Sequence, residues 1–141
     1  MIDHHHMAVE TSEICLAKAV HAELRQMCEQ IIAAQSREIE QLQSWLQEWY
    51  SISYAPQMTS RGERELARLS EASGGEFEIM FMEMMIQHHQ AEISSAQTCL
   101  ERASHRQLIR LCENIISAQS AEIQQLQQWL CQWYGGCATF S

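Results

Sequence analysis

Sliding the chain against itself by 84 positions superposes residues 1–50 on residues 85–134 without a gap, and 25 of the 50 aligned positions are identical. A duplication of this length constrains the fold strongly, because both copies must build the same supersecondary unit. The identities are concentrated. Met1-Ile2-x-His4-His5 falls on Met85-Ile86-x-His88-His89, Cys15-Leu16 on Cys99-Leu100, His21 on His105 and Cys28 on Cys112. Ile31-Ile32-x-Ala34-Gln35-Ser36-x-Glu38-Ile39 returns as Ile115-Ile116-x-Ala118-Gln119-Ser120-x-Glu122-Ile123, and Trp45-Leu46-x-x-Trp49-Tyr50 as Trp129-Leu130-x-x-Trp133-Tyr134.

The repeated unit reads as helical. Ile79, Met82, Ile86, His89, Ile93, Ala96 and Leu100 recur at spacings of three and four, one stripe of a helix. Leu108, Cys112, Ile115, Gln119, Glu122, Leu126, Trp129 and Trp133 form a second stripe, and only residues 101–107 separate the two. Each copy is therefore expected to be an antiparallel helical hairpin with a short turn. The five glycines and the single proline lie in the middle of the chain and at its end, which excludes a many-stranded sandwich or barrel. The expected fold class is all-α: residues 1–141 as a single four-helix bundle. Residues 1–50 make the first hairpin, 51–75 a crossover with a short helix near 63–71, and 76–134 the second hairpin. The second copy has two and a half helical turns ahead of its Met-Ile-x-His-His motif, whereas the first starts at Met1, so the chain is expected to begin inside its first helix as a piece of a longer protein.

Nine Lys and Arg against 18 Asp and Glu give a net charge of −9, which argues against nucleic acid or an anionic membrane surface and for cations. No apolar run approaches the roughly 20 residues that span a bilayer, so membrane insertion is not expected. Six cysteines are duplicated across the hairpins as Cys15 with Cys28 and Cys99 with Cys112, while Cys131 and Cys137 flank a Gly-Gly turn. No C-x-x-C occurs. Three disulfides in those pairings are the better reading, each hairpin bridge closing a loop for which chain entropy gives roughly 3 kcal/mol. They imply an oxidising, extracytoplasmic compartment such as the periplasm.

Eight methionines and seven histidines cluster. Met80, Met82, Met84, Met85, His88 and His89 share one stretch; Met1, His4, His5, His6 and Met7 share another. At 100° per residue Met82, Met85 and His89 follow the core stripe with His88 at its edge, while Met80 and Met84 point outward, as Met7 nearly does in the first copy. Thioether sulfur with imidazole suits Cu(I), with Ag(I) as a mimic, and imidazole also admits Cu(II). Met80, Met84 and His88 could share one ion, and Met85 with His89 an inner one; a packing-only role for the methionines stands beside this reading. Gln35, Glu38, Gln119 and Glu122 are polar positions on core stripes, placed to hydrogen-bond His5 and His89. The four tryptophans read as core caps and His21 and His105 as turn caps.

The stretch Phe77-Glu78-Ile79-Met80-Phe81-Met82-Glu83-Met84-Met85-Ile86-Gln87-His88-His89-Gln90-Ala91, with the Ile115-Ile116 and Trp129-Leu130 motifs, resembles a bacterial family known as domain of unknown function 305. The resemblance covers nearly all of both repeats. It implies a ferritin-type helical fold and, since the family includes periplasmic copper-binding proteins of cyanobacteria, a non-enzymatic role in copper sequestration, resistance and homeostasis. It marks Met80, Met82, Met84, Met85, His88, His89, Met1, His4, His5 and Met7 as copper ligands. A copper exporter or a second copy of the chain are the protein partners that this reading admits. Two rivals are a metal-free structural or partner-binding bundle and a di-iron oxidase; the second needs Glu-x-x-His on two helices, and the chain has none.

Overall fold

Pro56, Gly135 and Gly136 lie outside the helices, Gly74 and Gly75 open one, and Gly62 is in the first turn of another. In a computed structural model that describes residues 1–137, α1 spans Ile2–Lys18, α2 Ala22–Tyr50, α3 Ser60–Glu71, α4 Gly74–Arg102 and α5 Arg106–Tyr134, and no strand occurs among the described residues. Pro56 lies in the irregular stretch between α2 and α3, where a residue without a backbone N–H breaks no helical ladder. α5 stops at Gly135, whose φ of 75° is the left-handed conformation glycine adopts freely. α2 stops at Ser51 in the same conformation at φ 55°. In both, the next amide turns back onto the last helical turn: Ile52 N–H donates to Leu46 and Gly136 N–H to Leu130, at 3.1 and 3.0 Å.

The all-α class and the duplicated hairpin follow the sequence reading. The short crossover helix is the whole of α3, begun by Thr59, whose hydroxyl accepts the Gly62 N–H at 3.0 Å. The hairpin turns reduce to residues 19–21 and 103–105. All three expected disulfides are present: Cys15–Cys28 and Cys99–Cys112 join the hairpin arms with Cα atoms 6.3 and 6.4 Å apart, and Cys131–Cys137 closes over the end of α5 at 4.2 Å.

The chain divides into two compact units, one comprising Met1–Phe81 and the other beginning at Met82, with α4 continuing through the boundary. In the first unit α1 packs against α2 and α3. Ile2, Val9 and Ile39 form a buried cluster covered by Ile32, Leu42, Leu46 and Tyr54. Lys18 Nζ donates to the Ala72 carbonyl at 2.6 Å, fastening the end of α1 to the segment after α3. In the second unit Met82, Met85, Ile86 and Ala96 of α4 and Cys112, Ile115, Leu126 and Leu130 of α5 are buried.

The tryptophans are not buried caps. Trp45 and Trp49 are half-buried and stack at 5.2 Å, as Trp129 and Trp133 do at 5.0 Å. Spacing of i, i+4 lets such wide rings cover each other along the helix surface.

Candidate metal centre

α4 carries the densest set of soft donors. Its 29 residues are continuous, so Met80, Met84 and His88 fall on one row at successive spacings of four. All three are half-buried, accessible yet partly sheltered. Met82, Met85 and His89 lie on the core side and are at most 1% exposed. Helical periodicity thus separates an outer row from an inner one.

His89 is held from across the hairpin. Its Nε2 lies 2.5 Å from Oε1 of Glu122 on α5. One turn further along the pair of helices, Gln119 Nε2 donates to Glu92 Oε2 at 2.8 Å, both residues buried. The first copy repeats the histidine contact: His5 Nε2 meets Glu38 Oε1 at 2.6 Å. The expected link between the core-stripe carboxylates and the buried histidines therefore exists in both copies. Glutamine takes no part in it: Gln119 serves Glu92, and at Glu92's place in the repeat the first copy has Ala8.

Two buried carboxylates escape a reading by repeat. Glu92 is fully buried one turn after His89, but the repeat aligns it with an alanine. Glu78, also fully buried, accepts from the backbone N–H groups of Val20 and His21 at 2.7 and 2.8 Å through one carboxylate oxygen, and lies 2.6 Å from His21 Nδ1 through the other. His21 is the N-cap residue of α2 without a side-chain cap bond of its own, so the carboxylate supplies the cap. His105 likewise gives α5 no side-chain cap. The turn histidines thus occupy the N-cap positions without making a side-chain cap bond.

The first-copy donors are placed unequally. His4 is exposed, His5 buried, Met1 half-buried, and His6 lies 3.8 Å from Glu10. Met7 does not point outward: it is 6% exposed. The cover comes from α3, where a Cβ on Gly62 would stand 3.2 Å from the Met7 sulfur and 3.1 Å from Met58 Cγ. Met1 lines a cavity of about 290 Å³ with Ile2, Asp3, Leu42, Leu46 and Tyr54. The Asp3 carboxylate accepts from Gln57 N–H at 2.9 Å and from the Tyr54 hydroxyl at 2.8 and 2.9 Å. These bonds hold its pKa below the ordinary 3.8, Gln57 first and against partial desolvation, and the same carboxylate raises the Tyr54 phenol above 10.0.

Among the described residues no three His, Cys, Asp or Glu side chains come together as a metal-holding group, and all described cysteines are in disulfides. The donors on offer are thioethers joined by single imidazoles. One of these fits a soft ion directly: His89 Nδ1 is buried without a protein hydrogen-bond partner, a nitrogen available as a donor.

The class follows from fold and sequence together. The sequence profile of the domain of unknown function DUF305 matches residues 1–130, and the chain belongs to that family. Among solved structures it is similar to CopM in the Cu(I)-bound form, at 33% identity and a TM-score of 0.86, over 96% of this chain and 93% of that one. The Ag-bound and Cu(II)-bound forms of CopM match with TM-scores of 0.85 and 0.86, at 33% and 32% identity, covering 96% and 95% of this chain and 92% and 93% of theirs. A DUF305 protein from Streptomyces coelicolor matches at 25% identity and a TM-score of 0.83, over 94% of this chain and 86% of that one. No curated protein matches the sequence.

Proposed function

We propose that this chain is a non-enzymatic copper-binding protein that sequesters Cu(I) outside the cytoplasm, with Ag(I) as a chemical mimic and Cu(II) as a further oxidation state. The observation that carries the reading is the row Met80, Met84 and His88 along one continuous, half-buried helix face. Two thioethers and an imidazole at that spacing make a donor set for a soft monovalent ion and a poor one for Mg²⁺ or Ca²⁺, which take oxygen ligands. The similarity to a protein solved with Cu(I), Cu(II) and Ag supports it.

Met82, Met85 and His89 make the inner set in this reading, and Met1, His4, His5 and Met7 the set of the first copy. The burial of Met7 under α3 makes that set the harder to reach. Three disulfides suit an oxidising compartment, where they persist. Anionic net charge favours cation capture on approach.

Equilibrium dialysis against Cu(I) and Ag(I) tests the reading. The expected result is uptake by the disulfide-bonded chain that falls sharply when Met80, Met84, His88 and His89 are replaced together. Equal uptake by that variant, or none by either protein, rejects it.

A further inference from the structure

We infer that His89 binds its metal through Nδ1, and that Glu122 is the positioning residue that reserves this atom. The inference rests on the copper reading above and goes further, to the ligating atom and to a group that touches no ion.

The argument starts from which nitrogen carries the proton. An ionised carboxylate only accepts hydrogen bonds, so the 2.5 Å contact between His89 Nε2 and Glu122 Oε1 puts the hydrogen on Nε2. In the tautomer that carries its hydrogen on Nε2, the lone pair lies at Nδ1. That atom is buried, on a side chain with no exposure, and no protein group bonds to it. Leaving a buried lone pair unsatisfied costs stability, so its retention calls for a ligand.

Ring geometry says which ligand. Nε2 is the far nitrogen and reaches across to α5; Nδ1 sits next to the ring's attachment point and stays on the α4 side. Side chains on a helix lean toward its N-terminus, which tilts the His89 ring over the turn that holds Met85, itself 1% exposed. One turn back on the same helix stands Met85, a thioether of the kind Cu(I) or Ag(I) accepts. The first copy makes the same Nε2–carboxylate contact between His5 and Glu38 at 2.6 Å. It does so although the adjacent pair changes from Glu92 with Gln119 to Ala8 with Gln35. The histidine–glutamate contact thus stands apart from the rest of the buried polar network. Such carboxylate–imidazole–metal arrangements fix the tautomer and strengthen the donor, and losing the outer partner costs about 10–100-fold in metal affinity.

The test is long-range ¹H–¹⁵N correlation on the full chain with ¹⁵N-labelled histidine, disulfides intact, before and after one equivalent of Ag(I), with native mass spectrometry of the same samples. His89 is expected to carry its proton on Nε2 in both states, with only the Nδ1 resonance moving on silver addition. Glu122→Leu should mix the tautomers and lower Ag(I) affinity about 10–100-fold at unchanged helix content, and Glu122→Gln, which keeps an acceptor, should fall between. Silver bound with Nδ1 unmoved, a proton on Nδ1 in the unloaded chain, or full affinity in Glu122→Leu overturns the assignment while leaving the copper reading standing. No silver bound to the wild-type chain overturns both. The wild-type spectra decide even if Glu122→Leu does not fold.

Discussion

Asp3 holds the long connection between α2 and α3 against the start of α1 with one carboxylate, through Gln57 N–H and the Tyr54 hydroxyl. The pH consequence follows from the two shifts. Asp3 is lowered in the fold, so its contribution is present above the ordinary 3.8 and is lost as pH falls through the lowered value. Tyr54 is raised, so its contribution is full below 10.0 and is lost as pH rises through the raised value. The connection should be tightest between these limits. Asp3→Asn is expected to bring the Tyr54 phenol back toward 10.0, read as ultraviolet absorbance against pH, and to speed proteolytic cutting within 52–58 at neutral pH. An unchanged phenol titration would show that Asp3 does not hold the hydroxyl in solution.

At the scale of elements, Glu78 joins helices far apart in sequence. From the first turns of α4 it caps the start of α2, taking two backbone N–H groups and the His21 ring. Removing it leaves those part-buried donors without the buried carboxylate, so Glu78→Ala should destabilise the chain by on the order of 2 kcal/mol. Urea unfolding measures this, and a loss below about 1 kcal/mol would mean that water replaces the carboxylate at little cost. Periodicity could not announce this residue. Glu78 lies ahead of the aligned residues 85–134, and the groups it satisfies are backbone amides, which leave no mark in a side-chain pattern. Met7 departs from its expected place for a related reason: its face is outward for a lone hairpin, and the covering helix α3 lies outside the repeat, with Gly62 as the gap that admits the sulfur. The histidine–glutamate pairs were legible because both partners recur on stripes of adjacent helices, and disulfides because their cysteines straddle each turn at equal distance. The repeat thus discloses what is duplicated and local, and misses contacts made by unrepeated segments.

For the whole molecule, the division of labour between sulfur types makes the copper reading measurable by stability. All described cysteines are in disulfides, so a soft ion that binds the oxidised chain finds thioethers and imidazoles rather than thiolates. An ion that binds the folded chain alone raises its stability by RT ln(1 + [L]/Kd), about 2.7 kcal/mol when free ion is a hundred times Kd. For a domain of this size that is a rise in Tm of roughly 5–15 °C. Ag(I) should produce such a rise in the oxidised protein, growing with the logarithm of its concentration, and Mg²⁺ at equal concentration should produce none. The rise should shrink when Met80, Met84 and His88 are replaced and persist in a Cys131→Ser, Cys137→Ser variant, because the disulfide at the end of α5 offers no thiolate to lose. Calorimetry in the presence and absence of each ion measures both effects. An equal rise with Mg²⁺ would mean that the acidic surface, at a net charge of −9, gathers cations without selecting them. A silver effect lost with Cys131 and Cys137 would place the ion at sulfur of the wrong kind.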